Sequence, residues 1–328
     1  MIKKARHTRL IIQMEETLLR RLPNNHPKRP DILKSLERNW KGYRGEQSLD
    51  YYLKFLPERD YLHFQDLAIP YQDTSFQLDS LLLTPSLAII IESKNFHGTL
   101  IFDERSGQFL RENDQQQKEG YSNPIQQAKR HKYLLEKWLL EQNVKSFPIR
   151  YLVSISKPTT IIKTEPDSSK MYDIVVHAER VPDKIKEIEA KYPQKVLSSY
   201  LLNRLSHLLI EAHVPTDSDT NILQTYGINP SEILIGVKCP QCGEYSMIRK
   251  HGTWACPKCI AEDKKAHAQA IYEYLLLYHT ITNRQCRDFL QLVSENTAKR
   301  LLTQMNLPYK GATSNRTYHR PTDLDIFK

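Results

Sequence analysis

Two apolar runs separated by only four residues constrain this chain more than any other feature. Phe76 to Leu83 and Ala88 to Lys94 both read as β-strands, and Thr84-Pro85-Ser86-Leu87 joins them. With Pro85 and Ser86 as a two-residue turn, Asp79 faces Glu92, their Cβ atoms roughly 5 Å apart. Lys94 lies two residues past Glu92 and shares its face, while Ser93 points the other way. A slip of one residue in the register would separate the group.

Two carboxylates held together repel unless a cation lies between them. Oxygen ligands of this kind suit Mg²⁺ or Mn²⁺. Such an ion acidifies water and stabilises charge on a phosphodiester. Lys94 would hold the attacking water or stabilise the transition state. The alternative is a solvated hairpin in which Lys94 merely pairs with Glu92 or Asp79. Ile89-Ile90-Ile91 argues against it, because such a run suits a strand buried on both faces. Charges at the end of a buried strand need a reason.

The surrounding pattern alternates between helix and strand, which predicts an α/β layered core over residues 41–155. Gly45 to Phe55 suits a helix, and Leu62 to Ile69 and Thr99 to Phe102 suit further strands. Asp103 to Ser122 is polar and reads as a long loop. Asn123-Pro124 opens a helix, and Arg150 to Ile155 returns as a strand. Residues 1–40 read as a basic N-terminal extension, with a short helix over Leu10 to Leu22 ended by the proline-rich stretch from Pro23 to Pro30. Residues 156–237 read as a supporting or connecting region with no assigned chemistry.

Several separated blocks in this region resemble the nuclease-related domain (NERD) family, a branch of the PD-(D/E)xK nuclease fold. They are Gly42-Tyr43-Arg44-Gly45-Glu46, Gln77-Leu78-Asp79, Ile91-Glu92-Ser93-Lys94-Asn95-Phe96-His97-Gly98, and Asn123-Pro124-Ile125-Gln126-Gln127-Ala128 followed by His131. Phe96 stands where the family usually has tryptophan. The resemblance implies Asp79 and Glu92 as metal ligands and Lys94 as the catalytic lysine. It also implies Glu46 and Gln126 as further members of the site. From the residues alone, Glu46 is equally a helix-start glutamate favoured by the dipole, and Gln126 a surface residue of a first helical turn.

Cys239-Pro240-Gln241-Cys242-Gly243 and Cys256-Pro257-Lys258-Cys259 form two Cys-x-x-Cys knuckles within residues 238–262. Four thiolates so spaced can surround Zn²⁺ tetrahedrally, and the unit resembles a zinc ribbon. A redox dithiol pair or two disulfides are the alternatives. Trp254, with Arg249, Lys250 and His251, could contact a nucleic-acid backbone and base face, or Trp254 could simply cover the ribbon's small core. Cys286 is left over and reads as a buried free thiol.

Residues 265–328 read as a small α-rich domain. Ala266 to Tyr278 has an apolar helical face, Thr282-Asn283-Arg284-Gln285 suits a capping box, and Ser294 suits the cap of a third helix. An extended pair around residues 311–315 follows. The order resembles a winged helix-turn-helix, whose third helix enters the major groove. Lys299 and Arg300 would then contact DNA, with Lys310, Arg316 and Arg320 on the wing. A helical cap for protein–protein contact is the alternative.

The charge distribution supports a polyanion partner. The 328 residues carry 47 Lys and Arg against 38 Asp and Glu, a net charge of +9. Residues 1–48 hold 12 basic and 5 acidic side chains, and residues 238–328 hold 14 and 8, so the middle is net acidic. Length suggests two or three domains. The longest plain apolar run is Leu87 to Ile91, far short of the roughly 18 residues of a spanning helix. Leu10-Ile11-Ile12 is too short for a secretory apolar segment. The expectation is a cytoplasmic, metal-dependent nuclease acting on DNA, with RNA a second candidate, Mg²⁺ or Mn²⁺ catalytic and Zn²⁺ structural. A non-catalytic DNA-binding regulator and a protein-interaction adaptor are the competing functions.

Overall fold

The structure is a computed structural model that describes residues 1–166, 170–312 and 315–321. The chain divides into two compact units. One comprises Met1–Thr8 and Trp40–Thr216, the other Arg9–Asn39 and Asp217–Lys328. Among the described residues no helix is long and apolar enough to cross a membrane.

In chain order the elements up to Thr216 are β1 (Ile2–Lys4), α1 (Leu10–Arg21), α2 (Arg29–Leu53), β2 (Leu62–Tyr71), β3 (Thr74–Leu83), β4 (Ala88–Lys94), β5 (Thr99–Asp103), β6 (Phe109–Glu112), β7 (Lys118–Tyr121), α3 (Pro124–Glu141), β8 (Ile149–Ile155), β9 (Ile161–Glu165), β10 (Val175–His177), α4 (Val181–Glu189) and α5 (Ser199–Glu211). All but α1 and the start of α2 belong to the first unit. Its main sheet has the order β1-β2-β3-β4-β8-β10. β2, β3 and β4 run antiparallel as a meander, and β8 and β10 continue parallel to β4.

Parity along β4 decides what each side chain meets. Ile89 and Ile91 join a core with Leu49 and Leu53 of α2 and Val181 and Ile185 of α4. Ala88 and Ile90 join the opposite core, with Leu135, Trp138 and Leu139 of α3 and Leu205 and Leu209 of α5. Ile89, Ile90 and Ile91 are fully buried, each gaining roughly 2 kcal/mol from the transfer. The turn keeps Leu83 opposite Ala88 and Ser80 opposite Ile91. This is the register that directs Asp79 toward Glu92. Glu92 and Lys94 continue the even-numbered row and face α3.

The start of α3 is set by chemistry visible in the sequence. The Asn123 side chain accepts from the Ile125 amide at 2.9 Å, and Pro124 occupies the first turn, where its missing donor is not needed. That phase buries Ala128, His131, Leu135, Trp138 and Leu139.

Three parts of the chain differ from expectation. Residues 1–40 are not simply an extension, because β1 pairs with β2 and α1 enters the core of the second unit. α2 begins at Arg29 rather than at Gly45, since Pro30 is tolerated in a first helical turn. Residues 103–122 form β6 and β7, which with β5 and β9 make a second sheet of order β7-β6-β5-β9. All of β7 is exposed, so no apolar alternation betrays it. Gly98 leads into that sheet with φ +89°, where a Cβ would overlap the Glu112 carbonyl. Residues 156–216 supply β9, β10, α4 and α5, completing both sheets and covering both faces of the main one.

The elements after Thr216 are α6 (Ile222–Tyr226), β11 (Ile248–Lys250), β12 (Thr253–Ala255), β13 (Glu262–Asp263), α7 (Ala266–Tyr278), β14 (Thr280–Thr282), α8 (Asn283–Leu290), α9 (Glu295–Gln304), β15 (Tyr309–Lys310) and β16 (Thr317–His319). With α1 they form the second unit. Its core joins Met14 and Leu18 of α1 to Ile271 and Leu275 of α7. A buried Arg21–Glu273 ion pair of 2.6 Å links these two helices, and Arg21 also donates to the Leu234 and Gly236 carbonyls. Those bonds offset part of the desolvation cost of the buried pair, and the guanidinium lies over the Tyr245 and Phe289 rings, with its Nη2 lacking a hydrogen-bond partner among the described residues. β11, β12 and β13 form one small sheet, and β14, β16 and β15 another. The capping box at Thr282 and Gln285 is present, and Ser294 caps α9. Cys286 is fully buried, which pushes its thiol up to about 12.

Candidate active site and cysteine cluster

Asp79, Glu92 and Lys94 meet where β3 and β4 emerge beneath α3. Asp79 is 8% exposed and Glu92 1%. Asp79 Oδ2 accepts from the Ser93 amide at 2.8 Å, tying the end of β3 to the end of β4. Lys94 Nζ donates to Glu92 Oε1 at 2.7 Å and to Gln127 Oε1 at 3.0 Å. His131, one helical turn beyond Gln127 on α3, places Nδ1 3.4 Å from Glu92 Oε2.

The electrostatics follow from burial and from the two carboxylates. Burial and the neighbouring Glu92 charge push the Asp79 carboxyl up to about 6, against Lys94 and the Ser93 amide. Burial alone would raise Glu92 too, but His131 and Lys94 outweigh it and hold this carboxyl below its usual range. Desolvation would lower Lys94, yet the Glu92 and Asp79 charges win and hold its ammonium above the ordinary value.

Glu46 is brought close by a different route. α2 packs on the Ile89 and Ile91 face, and Gly45 allows it to approach β4 closely. A Cβ at Gly45 would lie 2.7 Å from Asn95 Cβ and 3.1 Å from Ser156 Oγ, which itself donates to the Gly45 carbonyl. The Glu46 carboxylate, 3% exposed, accepts from Arg6 Nη1. Arg6 also donates to Asp50 Oδ2 at 2.7 Å and to the Asp79 carbonyl at 2.6 Å. One guanidinium thus ties α2 to the strand carrying Asp79.

Gln126 is not part of this arrangement. It is exposed on α3, and its neighbour Gln127 makes the contact with Lys94 instead. One residue turns a helix by about 100°, which is enough to exchange the two glutamines. Arg6 carries no signal in the sequence, since it follows a strand of only three residues.

The donor set fits a hard divalent cation. Glu92 Oε2 and His131 Nδ1 are both buried without a hydrogen-bond partner among the described residues. An orphaned carboxylate oxygen beside a second buried carboxylate is a donor pair that could hold Mg²⁺ or Mn²⁺.

The four cysteines form a separate cluster. Their sulfur atoms lie within 4.8 Å of one another, the one such group of three or more His, Cys, Asp or Glu among the described residues. Cys239 and Cys259 are 3.5 Å apart, Cys242 and Cys256 3.6 Å, and none is in a disulfide. In each knuckle the backbone amide of the second cysteine hydrogen-bonds the first sulfur. The all-sulfur set is compatible with zinc. Trp254 is 1% exposed, and its Nε1 donates to His267 Nδ1 at 3.1 Å. It therefore serves the local core.

The basic residues near the C-terminus divide. Lys299 and Arg300 are exposed on α9, and Lys310 on β15. The Arg316 guanidinium lies 4.2 Å over the Tyr309 ring. Arg320 departs from the expected wing position, because it is half-buried and donates to the Ser218 carbonyl.

Comparisons with curated proteins and with solved structures give no match. Residues 41–156, which run from the first turns before Gly45 to the serine that closes on it, match the family model described as nuclease-related domain.

Proposed function

We propose that this protein is a metal-dependent nuclease that hydrolyses phosphodiester bonds of DNA. The observation that carries this reading is the buried Asp79, Glu92 and Lys94 group with its orphaned Glu92 oxygen, inside a stretch that matches a nuclease-related domain. Asp79 and Glu92 would hold Mg²⁺ or Mn²⁺, which supplies Lewis acidity toward the phosphodiester and a more acidic water. Lys94 is aimed by Glu92 and Gln127, and orients the attacking water while balancing charge on the phosphate. Glu46, steadied by Arg6, adds negative charge near the Lys94 ammonium.

The second unit supplies docking in this reading. The cysteine cluster is a structural zinc ribbon of the PD-(D/E)xK protein's accessory region. The α7-β14-α8-α9-β15-β16 order supports a winged helix-turn-helix, with Lys299 and Arg300 on the helix offered to DNA and Lys310 and Arg316 on the wing.

The test is cleavage of plasmid and linear DNA with Mg²⁺ or Mn²⁺. Lys94→Ala is expected to lower the rate about 10²–10⁴-fold. Equal rates in both proteins would remove Lys94 from catalysis, and inactivity of the wild type would remove the nuclease reading.

A further inference from the structure

The end of the first unit that carries Lys94 also gathers three cationic side chains and a histidine. Lys41 comes from α2, His97 from the β4–β5 connection, Arg111 from β6 and Lys157 from the residues after β8. Backbone ties hold them together. Asn95 Nδ2 donates to the Lys41 carbonyl at 2.7 Å, and the Ser156 amide donates to the Lys94 carbonyl at 3.0 Å. Arg111 Nε donates to the His97 carbonyl at 2.9 Å, and its Nη2 lies 2.8 Å from His97 Nε2. Positions far apart in sequence therefore converge next to the end of β4, whose last residue is Lys94.

These charges are poorly neutralised. Lys41 and Lys157 are exposed and have no ion-pair partner among the described residues. Arg111 has Glu119 only at 3.9 Å, and that carboxylate is 59% exposed. Asp114 is the acidic group whose charge reaches His97. Burial and then the Arg111 and Lys157 charges disfavour the protonated Lys41. Burial followed by Arg111, Lys41 and Lys157 does the same to His97. Like charges held close on a rigid scaffold are costly until an anion arrives. The middle of the chain is net acidic, so this concentration is local.

We propose that Lys41, His97, Arg111 and Lys157 form a phosphate-binding rim that holds the sugar–phosphate backbone of DNA beside the Lys94 group. The proposal rests on the nuclease reading and gives the catalytic unit its own grip on substrate, besides that of the C-terminal basic region. Arg111, whose Nε and Nη2 are held by His97, offers the Nη1 side of its guanidinium, while Lys41 and Lys157 act as point charges.

The experiment uses the full chain and a fluorescein-labelled DNA duplex, in buffer without added Mg²⁺ or Mn²⁺. Anisotropy titrations at several KCl concentrations compare the wild type, Lys41→Ala/Lys157→Ala and a control, Lys54→Ala/Lys191→Ala. The control removes the same charge from exposed lysines outside the rim. The rim variant is expected to bind at least about 10-fold more weakly near 100 mM KCl, and its slope of log K against log salt to be shallower by roughly 2. The control is expected to match the wild type. A rim variant that binds like the control overturns the proposal. The same wild-type preparation is assayed for cleavage with Mn²⁺, so a binding protein that never cleaves would sink the nuclease reading separately.

Discussion

Glu92 has two oxygens with two different neighbours. Oε1 is taken by Lys94, while Oε2 has only the imidazole of His131, 3.4 Å away and outside hydrogen-bond geometry. An outer partner of this kind aims a carboxylate that must bind a cation, and its loss typically weakens metal affinity about 10–100-fold. His131→Leu is expected to raise the Mn²⁺ concentration for half-maximal cleavage by that factor. His131→Asn, which can return a donor near the Nδ1 position, is expected to recover most of it. Electron paramagnetic resonance of free Mn²⁺ would check binding apart from turnover, and a His131→Leu affinity equal to that of the wild type would exclude this role. The facing of Asp79 and Glu92 was legible in the sequence, because a four-residue connection leaves few registers. The choice of Gln127 over Gln126 was not, since it depends on where Asn123 starts the helix. Arg6 was hidden for another reason. Its partners Asp50 and Asp79 lie 44 and 73 positions away, and nothing local marks such a meeting.

At the scale of an element, α2 is positioned by a missing side chain. Alanine at Gly45 would gain about 1 kcal/mol in helix propensity. Its Cβ, however, would stand 2.7 Å from Asn95 Cβ, and overpacking of that sort costs about 1–3 kcal/mol. Steric conflict is expected to win. Gly45→Ala should lower the melting temperature by a few degrees in a thermal scan. It should also reduce cleavage, because the displaced helix carries Glu46. A variant as stable and active as the wild type would contradict the close approach. The elements read best from sequence had strong local chemistry, such as the Asn123-Pro124 start of α3 and the Thr282 capping box. β6 and β7 resemble loop in sequence, because β7 is wholly exposed and β6 buries only Phe109, so neither shows an apolar period. The early start of α2 was masked by Pro30, a residue that reads as a breaker unless it falls in the first turn.

Across the whole molecule, buried and half-buried histidines set an acid limit on stability. Burial lowers His63 to about 3, and His213 and His267 to about 4. An unfolded chain protonates histidine near pH 6.5. Between these values the unfolded state binds more protons, so stability is complete above about pH 6.5 and falls as pH drops toward 4. The melting temperature is expected to be several degrees lower at pH 5 than at pH 7.5, and His213→Gln to flatten part of that difference. A melting temperature unchanged over this range would refute the assignment.

The division into two units carries a consequence for how the chain must assemble. The boundary is crossed at Thr8, at Asn39 and again at Thr216, so neither unit is one continuous segment. β1 needs β2, with Ile2 opposite His63. α1 waits longer, since Arg21 and Glu273 are 252 positions apart. The units therefore cannot fold in sequence like beads on a string. The second remains open while the entire first is synthesised, holding the apolar face of α1 without its partner. Residues 41–156 taken alone would lack β1, β10 and α5, and would turn the long β2 and β8 into the edges of the sheet that positions Asp79 and Glu92.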